Sequence, residues 1–133
     1  MKLTDYGRRQ AFLLNQVYEP VEVLFQQKHS SDLQRCADTA FYAMGFPYGS
    51  NYITYSKLLR EMHFGEKEGL HYDGLSQAEK DEINSPDFHP KGGESWEDVR
   101  NRMEKYFGTL TKGSHLIFSH GGPITVCLQE FGV

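Results

Sequence analysis

The sequence predicts an α/β domain built on a mostly parallel β-sheet. Short segments rich in β-branched and aromatic residues alternate with longer segments in which apolar residues recur every three or four positions. Glycine or proline separates most of these segments, and 133 residues suit one domain with one core. Because ligands of such domains bind at the carboxyl ends of the strands, we expect a functional site at that edge.

The composition argues against several classes of partner. A net charge of -4 and a pI of about 5.8 disfavour a general nucleic-acid or membrane-surface binder, which would carry a clustered basic surface. No apolar run reaches the length of a membrane span, and the first residues lack the apolar core of a signal peptide, so we expect a cytoplasmic protein. Cys36 and Cys127 fall on apolar helix stripes and are expected to be buried free thiols.

The first predicted element is a helix that begins at Thr4 and Asp5, because threonine can cap a helix and apolar residues follow at helical spacing. Pro20 ends that region. Residues 21–25 have the β-branched and aromatic character of a strand, whereas residues 26–29 are polar for the centre of a sheet.

A second helix is predicted after residues 30–32, where serine and aspartate side chains can cap it, and it ends at Gly45 and Pro47. Its apolar stripe consists of Leu33, Cys36, Ala37, Ala40, Phe41 and Met44. Arg35 lies in the first turn, away from this stripe. Because a cation is mildly unfavourable at a helix N-terminus, Arg35 is either solvated or available to an anion.

A strand at 53–55 precedes residues 57–69, which combine a carboxylate, an aromatic residue and two glycines, as expected of a functional loop. Residues 70–93 predict a lid-like insertion with a short polar helix near 76–83. Ser95 and Asp98 then form a capping box. The helix that follows has a core stripe of Trp96, Val99, Met103, Tyr106 and Phe107, and it is expected to end at Lys112-Gly113.

The last predicted elements are a strand at 116–118, a tight turn and a helix. Pro123 suits the first helical position, because its missing N–H would have no partner there. Gly121 and Gly122 allow close approach to a ligand, and the N–H groups of such a turn favour phosphate, with His120 at the rim. The alternative is a capped turn in which His120 only satisfies a hydrogen bond.

Arg35, Glu61 and His120 each follow a predicted strand. Since the carboxyl ends of parallel strands meet at one edge of a sheet, we expect these three side chains to lie close together.

Five segments in order resemble the histidine phosphatase superfamily, which has the phosphoglycerate mutase-like fold. They are residues 3–11, 30–40, 59–69, 92–95 and 119–122, and the resemblance covers almost the whole chain. It implies a three-layer α/β sandwich with a mostly parallel sheet, and a single domain over residues 1–133 with a lid-like insertion at about 70–93.

The resemblance also implies roles for individual residues. In this family a histidine of an Arg-His-Gly motif attacks phosphorus and becomes phosphohistidine. Arg35 and His120 would bind the phosphoryl oxygens, and Glu61 would protonate the leaving oxygen and later activate water. Ser31 and Gly121 would be lesser phosphate contacts. The implied substrate is a small phosphorylated metabolite or phosphosugar, with no metal and no cofactor.

The sequence departs from the family in two respects: it contains no Arg-His-Gly segment, and it stops at Gly132-Val133, within or just after the helix that follows His120, where relatives usually continue. We therefore expect the first central strand to be missing and this truncated chain to be inactive by itself. His29 is the best remaining candidate for a nucleophile, whereas His115 would lie roughly 16 Å from His120. Two alternatives stay open: a non-catalytic protein that binds phosphorylated ligands or a protein partner, and a phosphoglycerate mutase-type phosphotransferase.

Overall fold

The computed structural model describes residues 2–18, 24–45 and 51–130. In these ranges five helices and three strands follow one another in the order α1 Asp5–Tyr18, β1 Gln27–Ser31, α2 Gln34–Met44, β2 Thr54–Ser56, α3 Gln77–Asn84, α4 Trp96–Phe107, β3 His115–Phe118 and α5 Gly121–Glu130. Short 3-10 turns at 57–59, 65–67 and 72–74 connect β2 to α3. Within this described part, no helix is long and apolar enough to cross a membrane.

The sheet has the order β2-β1-β3, and both pairings are parallel. His29 on β1 lies opposite Thr54 of β2 and Ile117 of β3. In the described residues β1 and β3 are direct neighbours, with no further strand between them. The predicted α/β fold is confirmed, and all three strands end at the same edge of the sheet.

The helices form two layers, one on each face of the sheet. Successive side chains of a strand point to opposite faces. On β1, Ser30 bonds Cys36 of α2 (3.6 Å), whereas His29 bonds Tyr106 of α4 (2.7 Å). The three-layer arrangement is therefore confirmed. The main core cluster lies on the α4 side and consists of Leu59, Met62, Ile83, Phe88, Val99, Met103, Tyr106 and Val126.

The central strand lies later in the sequence than predicted. Of the predicted strand, residues 21–23 lie outside the described residues, and Leu24 and Phe25 are not in a strand. The strand instead occupies the polar residues 27–31, in which Ser30 and Ser31 are fully buried. The prediction was wrong because pairing with two neighbours and hydrogen bonds to buried polar groups outweigh side-chain β-propensity.

Most helix boundaries follow their sequence signals. Thr4 accepts a hydrogen bond from the Gly7 N–H (3.1 Å) at the start of α1, and Gly45 ends α2 with a φ of 70°. Pro47 lies outside the described residues. The predicted capping box at Ser95 is formed at the start of α4, and a second capping box, which was not predicted from the sequence, begins α3 at Ser76.

Details of α2 and α4 differ from the prediction. Leu33 occupies the N-cap of α2 without a side-chain cap, and Phe41 is 36% exposed. Ala43 is buried instead, because Asn15 of α1 packs there and donates to its carbonyl (3.0 Å). Helix α4 ends at Gly108 and not at residues 112–113, since glycine is a poor helix former and Thr109 bonds back to the chain.

Both cysteines are free thiols, as predicted. Cys36 is buried, but Cys127 is only partly buried. Burial raises the pKa of each thiol, which keeps both in the protonated form at neutral pH.

Candidate active site

The structure brings the predicted site residues to one edge of the sheet. Arg35 lies in the first turn of α2 after β1, Glu61 lies in the loop after β2, and His120 lies between β3 and α5. Arg35 and Glu61 line one cavity of about 780 Å³. Ser31, His120 and Gly121 are not among the residues that line this cavity, but the charge of Arg35 acts on the His120 imidazole, so His120 lies near it.

Arg35 is the arginine of this cavity that remains available to a ligand. Three arginines line the cavity: Arg35, Arg60 and Arg102. Arg60 binds both carboxylate oxygens of Asp32, at 2.7 and 2.6 Å, and Arg102 binds Glu94 at 2.8 Å. The Arg35 guanidinium has no hydrogen bond or ion pair with any described residue. Its planar fork can therefore accept an anion with two matched oxygens.

His120 is a buried and neutral histidine. It is 7% exposed, and its Nε2 lies 2.9 Å from the Oγ of Ser31. Burial, reinforced by the charges of Arg35 and Arg102, lowers its pKa to about 4. Ser31 is itself fully buried, and its Oγ also accepts the N–H of Leu33 (3.3 Å). Ser31 thus fixes the His120 imidazole in a position near Arg35, the arginine that is available to an anion.

Glu61 is positioned by backbone groups. Its Oε1 accepts the N–H of Met62 (2.9 Å). A side chain on Gly122 would place a Cβ 2.5 Å from that oxygen and 3.1 Å from the Trp96 ring. At Gly122 the turn thus packs closely against Glu61, whereas the close approach to a ligand stays a prediction. Around Gly121 the space is open, so the N-terminus of α5 stays accessible.

Two ion pairs brace the loop that carries Glu61. The Arg60–Asp32 pair joins this loop to the turn after β1, and both side chains are at least half-buried. On the other side, Arg102 also donates to the carbonyl of Leu58 (2.7 Å), and Glu94 accepts the N–H of His63 (2.9 Å). Sequence reasoning missed these four bracing residues, because no local pattern marks ion-pair partners that lie 28 and 8 residues apart.

Backbone hydrogen bonds also join this loop to residues 90–94. The Glu66 N–H donates to the carbonyl of Lys91 (3.0 Å), and the Glu94 N–H donates to the carbonyl of His63 (2.8 Å). Gly65 has a φ of 54°, and a Cβ there would overlap the Lys91 carbonyl. Only glycine combines this conformation with such a close approach.

His29, the candidate nucleophile among the remaining histidines, lies elsewhere. It is 4% exposed, with Nδ1 2.7 Å from the Tyr106 hydroxyl and Nε2 3.0 Å from Nδ1 of His115. Both ring nitrogens are therefore engaged, and the residue does not line the cavity. His63 and His71 do line it. Among the residues described, no three His, Cys, Asp or Glu side chains are grouped to bind a metal ion.

Comparison with known proteins identifies the family. The model of the histidine phosphatase superfamily (branch 1) matches residues 1–132. A Hydrogenobacter thermophilus protein, provisionally named phosphoserine phosphatase 2, is 32% identical over 139 residues. The Xenopus tropicalis fructose-2,6-bisphosphatase TIGAR is 33% identical over 113 residues. The two alignments cover 95% and 83% of this chain but only 65% and 40% of those relatives.

Solved structures agree with this assignment. The Thermus thermophilus protein TTHB049 has a TM-score of 0.77 and 32% identity, over 98% of this chain and 71% of that one. The mycobacterial glucosyl-3-phosphoglycerate phosphatase has a TM-score of 0.80 over 100% of this chain and 70% of that one. At 24% identity, the latter shows the fold alone. The chain belongs to the histidine phosphatase superfamily, branch 1.

Proposed function

We propose that the cavity is the phosphate-binding site of a phosphomonoesterase that acts through a phosphohistidine intermediate on a small phosphorylated metabolite. The observation that carries the proposal is the guanidinium of Arg35, which no described residue neutralises, in the same cavity as the Glu61 carboxyl group. The other two arginines of the cavity are already neutralised by carboxylates. Such an arginine can bind two oxygens of a phosphoryl group or of a carboxylate, and the phosphatase names of the relatives favour the phosphoryl group.

Each site residue has a separate task in this proposal. Arg35 binds two phosphoryl oxygens, and the neutral His120 binds a third in the ring orientation set by Ser31. The N–H of Gly121, at the start of α5, adds a helix N-terminal contact to the phosphate. Glu61 donates its proton to the leaving oxygen as the P–O bond breaks, and it then removes a proton from the attacking water.

The reaction also needs a histidine that accepts the phosphoryl group. The 133 residues contain no Arg-His-Gly segment, and both ring nitrogens of His29 are engaged. Nucleophilic attack requires a free nitrogen in line with phosphorus. We therefore propose that this chain by itself binds phosphate monoesters without hydrolysing them. The phosphatase names of the curated relatives motivate the reaction class.

The test measures hydrolysis of 4-nitrophenyl phosphate and, by calorimetry, binding of inorganic phosphate. The parent chain is compared with Arg35→Ala and His120→Ala. Arg9→Ala, which removes an exposed arginine of α1, controls for net charge. We expect no hydrolysis by any chain, and phosphate binding that is roughly tenfold or more weaker in Arg35→Ala, because charge-assisted hydrogen bonds are lost.

Two results would contradict the proposal in different ways. Hydrolysis by the parent chain that disappears in both site variants would show that another nucleophile operates, with His63 and His71 on the cavity wall as the first candidates. Absence of phosphate binding by the parent chain would refute the site itself.

A further inference from the structure

We infer that this cavity selects phosphomonoesters whose alcohol part is apolar or aromatic and carries no second anionic group. The inference rests on the proposed function, since it takes Arg35 as the phosphoryl contact. The inference goes further by stating which kind of alcohol the site accepts. That choice depends on the lining residues of the cavity other than Arg35 and Glu61, which are called the wall below.

The charges of this wall leave little attraction for a second anion. Three of its cations are already paired, and the pairs are Arg60–Asp32, Arg102–Glu94 and Lys67–Glu82, at 2.6, 2.8 and 2.7 Å. With Arg35 assigned to the phosphoryl group, Lys57 is the remaining lysine or arginine of the lining. The lining also contains the carboxyl groups of Glu61 and Glu68, and Lys57 lies near enough to Asp32 to lower the pKa of that carboxyl group. With Glu61 protonated as the proton donor, the charges of Lys57 and Glu68 cancel, so a second phosphate or carboxylate would gain no net attraction from this wall.

The same wall offers apolar surface that is open to the cavity. Leu70 and Tyr72 line it and are 57% and 49% exposed, and Phe64 and Leu75 contribute partly buried apolar surface. Exposed apolar side chains that face a concave site favour an apolar ligand, because the ligand removes their surface from water. These residues lie in the segment 64–75, next in sequence to the Glu61 loop, so apolar surface and proton donor share one wall.

The Tyr72 ring is fixed in place before any ligand arrives. Asn84 donates to its hydroxyl oxygen (2.9 Å), and the Lys80 ammonium lies 5.4 Å from the ring centroid. A ring fixed in this way contacts a ligand at low cost in side-chain entropy. The wall is thus a preformed apolar surface.

This leaving-group preference differs from those in the names of the curated relatives. Phosphoserine carries a carboxylate and an amine in addition to its phosphate, and fructose 2,6-bisphosphate carries a second phosphate. A cavity in which Lys57 is the one cation besides Arg35 without an ion pair to a described residue, and which also contains Glu68, offers little attraction to the second anionic group of either compound.

The test is calorimetry at pH 8, above the ordinary pKa of histidine. The ligands are inorganic phosphate, phenyl phosphate, glycerol 3-phosphate and phosphoserine. Phenyl phosphate should bind roughly tenfold or more tightly than glycerol 3-phosphate, because its ring is buried against the apolar wall. Phosphoserine should bind no more tightly than glycerol 3-phosphate.

Two leucine variants test whether the apolar wall of the cavity causes the preference for phenyl phosphate. Leu70→Gln should reduce the preference for phenyl phosphate at least threefold and leave the affinity for inorganic phosphate unchanged. Leu13→Gln is the matched control, because Leu13 of α1 is 58% exposed but does not line the cavity. It should retain the full preference.

The outcomes separate the two proposals. Equal affinities for phenyl phosphate and glycerol 3-phosphate, or tighter binding of phosphoserine, would overturn the inference while phosphate binding still supports the proposed function. A chain that binds none of the four ligands would overturn both.

Discussion

Replacing Gly122 with alanine tests how closely α5 packs against the loop that carries Glu61. The new Cβ would lie 2.5 Å from Glu61 Oε1, about 0.9 Å short of an ordinary contact of 3.4 Å. The Trp96 ring, at 3.1 Å, blocks movement to one side. The carboxylate must therefore shift, which weakens its hydrogen bond from the Met62 N–H.

The magnitude follows from these contacts. Crowding a packed site costs about 1–3 kcal/mol, and a weakened hydrogen bond costs about 1 kcal/mol. Replacing a helical glycine by alanine returns up to about 1 kcal/mol. Gly121→Ala, one residue earlier in the same turn, has open space and gains only the helical contribution. The helical contribution is common to both variants and cancels, so we expect Gly122→Ala to be less stable than Gly121→Ala by about 2–4 kcal/mol.

The assay is urea unfolding of both glycine variants, each made with Glu61 and with Glu61→Ala. If the crowding is with the Glu61 carboxylate, removing that side chain should recover about 1 kcal/mol of the Gly122→Ala deficit. Equal stabilities of the two glycine variants, or no coupling to Glu61, would refute this description of the site.

Three further predictions concern His120, Gly65 and Arg102. The pKa of His120 is lowered from 6.5 to about 4, so the unfolded chain binds more protons than the folded chain between these pH values. The free energy of unfolding should therefore fall by up to about 3 kcal/mol from pH 7 to pH 4. Denaturant titrations of His120→Gln should lack this component. Gly65→Ala should lower the free energy of unfolding by more than about 3 kcal/mol, because its Cβ would overlap a backbone carbonyl. Gly69→Ala, at a φ of 82° in open space, should lower it by about 1 kcal/mol, and the melting temperatures of the two variants test this difference. Arg102→Ala should cost about 2–3 kcal/mol in urea unfolding, because the side chain is only 13% exposed and its loss leaves a carboxylate unpaired, whereas the exposed Arg8→Ala should cost less than about 0.5 kcal/mol.

Elements with strong local signals could be predicted from the sequence. Side-chain caps at Ser76 and Ser95, and a glycine in the left-handed region at Gly45, act within a few residues and set helix ends directly. Strand β1 could not be placed, because its polar residues are buried by partners far along the chain, such as His115 beside His29 at 86 residues' separation. Long-range pairing of this kind leaves no local pattern.

The site could be predicted in part. The structure places Arg35, Glu61 and His120 at one edge of the sheet, as expected for residues that follow parallel strands, and their roles in a site stay predictions. Their chemistry came from the resemblance to the family and not from their spacing. The braces of the Glu61 loop, Arg60 and Arg102, read in sequence as ordinary surface arginines. Only the fold shows that both are bound to carboxylates, which singles out Arg35 as the available cation.

The most direct test of the central claim is the melting temperature of the chain with and without inorganic phosphate. Phosphate at 100 times its dissociation constant should stabilise the parent chain by about 2.7 kcal/mol, a rise of roughly 10 °C, and Arg9→Ala should show the same rise. In Arg35→Ala, whose affinity should be weaker by tenfold or more, phosphate at that same concentration should produce about half of the rise or less. An equal rise in Arg35→Ala, or no rise in the parent chain, would contradict the assignment of Arg35 as the phosphate ligand.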